Sequence, residues 1–254
     1  MKKTVIITSC IEVDNNYPLT YSKIRSFFTT QDRYNQTIKT LFNLVENFDK
    51  ETCFYLVDAS PEFLINSSDF EFVPNFKFVS VKLEFPQILK TVTTHPNKSH
   101  CEQLLLYTFL EHYKGEILDS DYFFKVSGRY QIDKNYFNIN YFNNQTHKGF
   151  YFKEPLEWDW EDSWGYEKVD LRQEQGNNKL YQYCTVAYGW SRTYLDTKIE
   201  IAKEISKICS SIEGLKYDVE TLIYFLTRKH KSNITHMPWL VVGNQGTYGT
   251  FAHF

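Results

Sequence analysis

The chain has 254 residues, a formal net charge of −3, 42% apolar residues and 23% charged residues. These values exclude intrinsic disorder. The slightly acidic balance argues against a protein that holds nucleic acid by neutralising phosphates, which needs a basic face. No apolar run reaches the ~20 residues of a membrane-spanning helix.

In chain order, Thr4–Thr8 is a short β-branched run and predicts a buried strand. Glu12 and Asp14 follow at once, so the basic start reads as that strand rather than as a signal segment. Gln31 to Phe48 carries apolar residues at helical spacing. Cys53–Val57 and Phe76–Val81 predict two more strands. Ser99-His100-Cys101-Glu102 has the form of a capping box. It predicts a helix to about Tyr113, with Gly115 as its stop. Tyr122–Val126 predicts a fourth strand, closed by Ser127-Gly128. This alternation predicts an α/β domain with a mainly parallel central sheet flanked by helices.

The second half is more elaborate. Asn135–Asn144 is rich in Asn, Tyr and Phe. Tyr183–Trp190 predicts a strand, Ser191–Ser210 and Asp218–Lys229 helices, and His236–Val242 a last strand. There is no internal repeat and no domain linker, so one continuous domain over 1–254 is expected. Five scattered cysteines without a C-x-x-C predict reduced thiols in a cytoplasmic protein. The aromatic share is 18%, with 19 Tyr and 21 Phe. Most of these rings must be core, although rings with polar handles also stack on sugars.

Ligands of parallel sheets sit beyond the carboxyl ends of the strands. The residues that matter are then those just after each strand: Thr8-Ser9, Asp58-Ala59-Ser60 and Ser127-Gly128-Arg129-Tyr130. Asp58 reads equally as a nucleotide contact and as a strand-end turn before Pro61. Arg33, near the exit of the first strand, reads equally as a contact to phosphate or a sugar carboxylate and as a solvated charge. Asp218 and Glu220 open a helix, where acids are favoured by the dipole alone. Trp158-Asp159-Trp160-Glu161-Asp162 mixes rings with acids, as a sugar site or a packed loop does.

Several segments resemble GT-A-type glycosyltransferases of bacterial and viral surface-glycan families. Asp121–Tyr130, with Lys125 inside an apolar run, resembles their central strand. Arg25–Thr29 and Asp32–Thr40 resemble their first helical region, and Tyr183–Arg192 their acceptor-side strand. Asp218-Val219-Glu220 resembles the start of the helix bearing their base. The resemblance implies a nucleotide-diphosphate sugar as donor and a saccharide or lipid-linked acceptor. It implies a donor half over 1–130 and an acceptor half over 131–254. The implied donor-binding residues are Thr8, Ser9, Arg25, Asp58, Lys125, Ser127, Gly128, Arg129 and Tyr130. The implied base is Asp218, with Glu220 second, and the implied acceptor contacts are Trp158, Asp159, Trp160 and Asp162. A surface-polysaccharide role, a cytoplasmic site and an inverting outcome come with it.

One departure stands out. Such enzymes hold Mn²⁺ or Mg²⁺ on an Asp-x-Asp at the end of that strand, to neutralise the leaving diphosphate. Here the strand ends in Ser127-Gly128-Arg129, and the one Asp-x-Asp nearby, Asp119-Ser120-Asp121, precedes it. A five-residue strand spans about 17 Å, which puts those carboxylates at the wrong edge. Arg129 is then either a surface ion-pair partner or a fixed cation that makes a metal unnecessary. Two other classes stay open: a carbohydrate-binding protein without catalysis, and a nucleotidyltransferase, which needs metal carboxylates.

Overall fold

The computed structural model describes residues 1–62, 66–143, 148–159, 179–245 and 250–253. Its centre is a seven-stranded sheet in the order β10-β6-β9-β4-β1-β2-β3. The strands are β1 (Lys3–Ser9), β2 (Cys53–Asp58), β3 (Phe76–Ser80), β4 (Tyr122–Ser127), β6 (Phe150–Phe152), β9 (Ala187–Ser191) and β10 (Ile234–His236). β1 pairs in parallel with β2 and β4, as do β2 with β3 and β10 with β6. β9 runs antiparallel between β4 and β6. Strands from both halves of the chain therefore share one sheet.

The four strands β1–β4 form where they were expected, within a residue or two. They are β-branched or aromatic runs; β1, β2 and β4 are buried on both faces, with Val5, Ile6 and Ile7 fully inaccessible, while the edge strand β3 is half-buried over Phe76–Phe78. The helix α1 (Thr30–Asn47) is closed at its start by a capping box between Thr29 and Asp32. Between β3 and the next long helix lie two short ones, α2 (Val81–Glu84) and α3 (Pro86–Thr94). Pro86 sits in the first turn of α3, where its missing N–H costs nothing.

The helix α4 spans Lys98–Ile117. The expected capping box does not form. Asn97 caps the helix by accepting from the His100 N–H at 3.0 Å, which leaves Ser99 and Glu102 for other partners. Nor does Gly115 stop the helix: a Cβ there meets nothing within 4 Å, and the last turn runs on through it. α4 packs on α5 (Leu195–Ser210) and the following α6 spans Val219–Thr227.

Two predicted strands are each divided. Tyr183–Trp190 is a strand only in its second half, β9; Tyr183–Val186 is an irregular stretch that follows β8 (Lys179–Gln182), which pairs antiparallel with β7 (Leu156–Asp159). His236–Val242 resolves into β10 and β11 (Val241–Asn244). β11 pairs with β5 (Tyr130–Ile132) and β12 (Phe251–His253) in a small antiparallel sheet.

The aromatic excess goes mainly into the core. Phe124 packs edge-on against Phe142 at 4.8 Å and Phe48 at 5.1 Å between ring centres, and Phe123 stacks on Trp190 at 5.8 Å. Such pairs add about 0.5–1.5 kcal/mol each beyond area burial. Among the described residues no helix is long and apolar enough to cross a membrane, and all five cysteines are free.

Candidate active site

The carboxyl ends of β1 and β4 open into a cavity of about 300 Å³. Its walls come from the end of β1, the loop that follows it, the first turns of α4 and α6, and the end of β4. Of the residues expected to bind donor, Thr8, Ser9, Arg25, Ser127, Arg129 and Tyr130 line it, and so does Glu220. Asp58, Lys125, Gly128 and Asp218 do not. Trp160 and Asp162 lie outside the described residues, as do the side chains of Trp158 and Asp159.

Asp58 is buried behind the wall. One carboxylate oxygen accepts from the Ile11 N–H at 3.0 Å and the other from the Ser60 N–H at 2.9 Å. It shapes the exit of β1 and β2. Lys125 is also buried. Its ammonium forms an ion pair with Glu102 and donates to Ser127 Oγ at 2.8 Å and to the Thr185 carbonyl at 2.9 Å. Burial raises the Glu102 pKa, but the Lys125 ammonium outweighs this and holds it below the ordinary carboxylate value. Lys125 thus fixes the end of β4 from beneath.

Gly128 is required by a close approach to the protein rather than to a ligand. A Cβ on it would meet Ser9 Cβ and Oγ at 3.2 Å, and its N–H donates to the Thr8 carbonyl at 2.9 Å. Gly243 plays a similar part opposite, where a Cβ would lie 2.5 Å from the Arg129 carbonyl.

Alongside the acids Glu12, Asp14, Glu102 and Glu220, four cations line the cavity: Arg25, Arg33, Lys98 and Arg129. None of them is in a salt bridge among the described residues. Arg129 Nε is buried with no hydrogen-bond partner. Arg33 is 5% exposed and spends its guanidinium on the Cys10 carbonyl and on Ser26 Oγ. Burial and then the neighbouring Arg129 push its pKa down to about 9. Lys98 keeps much of its surface open. Desolvation in the cavity wall and then Arg129 still push its ammonium down to about 8. Arg129 thus disfavours the charge of both Arg33 and Lys98, while Glu102 and Glu220 favour that of Lys98. Arg25, by contrast, is engaged, donating to the carbonyls of Tyr17 at 3.1 Å and His95 at 2.9 Å.

The two acids of α6 are separated by their places on the helix. Asp218 is the N-cap, accepting from the Thr221 N–H at 2.6 Å and from the Gln182 amide at 3.2 Å. Glu220 turns into the cavity, where Thr185 Oγ1 donates to it at 2.6 Å. Burial, then the nearby Asp218, pushes the Glu220 pKa up to about 7. The placement thus favours the acid put second in the sequence.

The Asp119-Ser120-Asp121 run lies at the other edge of the sheet. The Asp121 N–H donates to the Lys2 carbonyl at 2.8 Å, and its carboxylate accepts from the Lys2 N–H at 3.0 Å. At the end of β4 the side chains on offer are a hydroxyl and a guanidinium. A divalent cation of the Mn²⁺ or Mg²⁺ type wants carboxylate and carbonyl oxygens. Among the described residues no three His, Cys, Asp or Glu side chains gather in a way that could hold a metal ion. This donor set does not fit the metal.

No protein-family model and no curated protein matches the chain. Solved structures do, and they show the fold: it is that of the GT-A-type glycosyltransferases. Core-mannan synthase A from Aspergillus fumigatus, determined in a Mn/GDP form, superposes with a TM-score of 0.55 at 9% identity. That match covers 94% of this chain and 73% of the synthase. The mannosyltransferase Ktr4p from S. cerevisiae gives 0.52 at 10% identity, over 93% of this chain and 69% of its own.

Sequence reasoning missed Lys98 as a site residue, and left Arg33 undecided between a ligand contact and a solvated charge. It read Glu102 only as a capping residue. Lys98 carries no local signal, since a lysine in the first turn of a helix is ordinarily solvated. The position of Arg33 one turn inside a helix, facing the apolar stripe, was the available clue.

Proposed function

We propose that this chain is an inverting glycosyltransferase. It would move a sugar from a nucleotide-diphosphate donor to a saccharide or lipid-linked acceptor in surface-glycan assembly, with protein cations in place of a metal. The observation that carries the reading is that Arg129, Lys98 and Arg33 line the same cavity as Glu220. Three cations without carboxylate partners suit a diphosphate, and guanidinium forks match its oxygens. As the bond from the anomeric carbon to the diphosphate lengthens, negative charge grows on the leaving oxygen. Arg129 and Lys98 stabilise that charge from fixed positions. Glu220, ionised, accepts the proton of the attacking acceptor hydroxyl. The hydroxyl oxygen bonds to the anomeric carbon on the face opposite the leaving group, and the configuration inverts. A base titrating near neutrality combines a large ionised fraction with good proton affinity.

The test is thermal shift and calorimetry with UDP, GDP, ADP and CMP, in EDTA and in MnCl₂. Turnover of the corresponding nucleotide sugars follows for whichever nucleotide binds. Tight binding and donor turnover in EDTA support the reading. No nucleotide binding at millimolar concentration, or turnover that requires Mn²⁺, overturns it.

A further inference from the structure

The end of β4 and the first turn of α6 are joined by the short irregular stretch Tyr183–Val186. At one end the Tyr183 N–H donates to the Glu220 carbonyl at 3.3 Å. At the other the Ser127 N–H donates to the Val186 carbonyl at 2.8 Å. Between them Thr185 is 3% exposed and bonded in both directions. Its carbonyl accepts from Lys125 Nζ at 2.9 Å, and its hydroxyl donates to Glu220 Oε1 at 2.6 Å. The Glu220 carboxylate also takes a bond from the backbone N–H of its own residue. A threonine hydroxyl has a single proton, and here it is given to Oε1.

We propose that Thr185 is a positioning residue for the Glu220 base, fixing the orientation of its carboxylate at the cavity wall through the bond to Oε1. This rests on the reading of Glu220 as base and adds to it a residue that acts through that base. The same contact sets the charge state. A hydrogen bond donated to a carboxylate favours its ionised form, and here it opposes burial and the neighbouring acids. The titratable groups around Glu220 are Asp218 on its own helix, Glu102 and Lys98 on α4, Cys184 and Tyr188 on the approach to and within β9, and Cys209 on α5. None of them is altered by substitution at Thr185.

The experiment is a carboxyl ¹³C NMR titration of the Glu-labelled protein, with the Glu220 signal assigned by its loss in Glu220→Gln. In Thr185→Val the midpoint of Glu220 should rise by about one pH unit, and Thr185→Ser should restore it. Thr185→Ala serves as a smaller replacement if the valine does not fold. The acidic limb of the rate profile, read on the nucleotide sugar that the protein turns over, should move with the midpoint. An unmoved midpoint in Thr185→Val and Thr185→Ala overturns the assignment. Full activity in Glu220→Gln overturns instead the reading beneath it, and the two failures are told apart because the titration needs no substrate.

Discussion

Asp218 and Glu220, two residues apart, have carboxylates in unlike settings. Asp218 Oδ1 is bound to the Thr221 N–H at the head of α6, while Glu220 Oε1 meets the Thr185 hydroxyl at the wall of the cavity. The first carboxylate holds the helix that aims the second. Losing one should therefore show in stability, and losing the other in rate.

Glu220→Gln should lower transfer by about 10²–10⁴-fold, the usual contribution of a positioned base, with nucleotide affinity nearly unchanged. Asp218→Ala should cost about 1 kcal/mol of stability through the lost cap. Asp218→Asn should stay close to wild type in both respects. Steady-state kinetics and denaturant melts on the three variants give the ranking. Full activity in Glu220→Gln together with a dead Asp218→Asn would reverse the assignment.

Arg129→Ala should lose about 3–4 kcal/mol of transition-state stabilisation, typical of removing one donor to developing charge. The loss should fall on kcat as well as KM. Activity of the wild type in excess EDTA is the companion measurement, and recovery of Arg129→Ala by added guanidinium would support a purely electrostatic role.

The pH dependence follows from two groups that line the cavity. Glu220 works ionised and titrates at about 7, while Lys98 binds phosphate protonated and titrates at about 8. The profile of kcat/KM should be a narrow bell between those values. Stability has its own signature. Folded, Glu220 keeps its proton where the unfolded chain has released it. Stability therefore falls as pH rises from the ordinary carboxylate range through about 7. At pH 8 Glu220→Gln should melt higher than wild type, and at pH 4 the difference should vanish.

The first four strands and α1 were legible because each is an apolar run or an amphipathic period long enough to have one reading. The edge that carries the cavity followed from them. The three-residue strands β5, β6 and β10 were not legible, since a pair such as Tyr151 with Gly189 or Tyr130 with Gly243 is set by distant partners. The capping box at Ser99 failed for a local reason, because Asn97 stands two residues earlier and caps equally well. That shift freed Glu102 to meet Lys125, a pairing between helix and strand that no spacing in the sequence encodes.

Lys125→Met should be strongly destabilising, by about 3–5 kcal/mol, because it strands Glu102 without its partner in a buried setting. The double variant Lys125→Met with Glu102→Gln should regain much of that loss. A chemical-denaturation cycle over the four proteins measures the coupling, and additive losses would show that the pair is not a unit.

Gly243→Ala should affect the site as well as the fold. The new Cβ would lie 2.5 Å from the Arg129 carbonyl, which must move. Weaker nucleotide binding, by calorimetry, should accompany the lower melting temperature. Gly128→Ala presses on Ser9 instead, and Ser9→Gly should relieve it in part.

Because β9 runs against β4, the chain reaches the cavity there before it enters the strand, not after leaving it. Thr185 thus lies two residues upstream of the sheet, at the end of a stretch whose length no strand register controls. Deleting or inserting one residue between Gln182 and Thr185 would leave the pairing of Ala187 with Val126 in place. It would shift Tyr183, whose N–H holds the Glu220 carbonyl, and so move Glu220 relative to the threonine all the same. Natural variation in the length of this stretch would then alter the setting of the base without disturbing the core, a route by which related chains of one fold could come to differ in acceptor or in working pH.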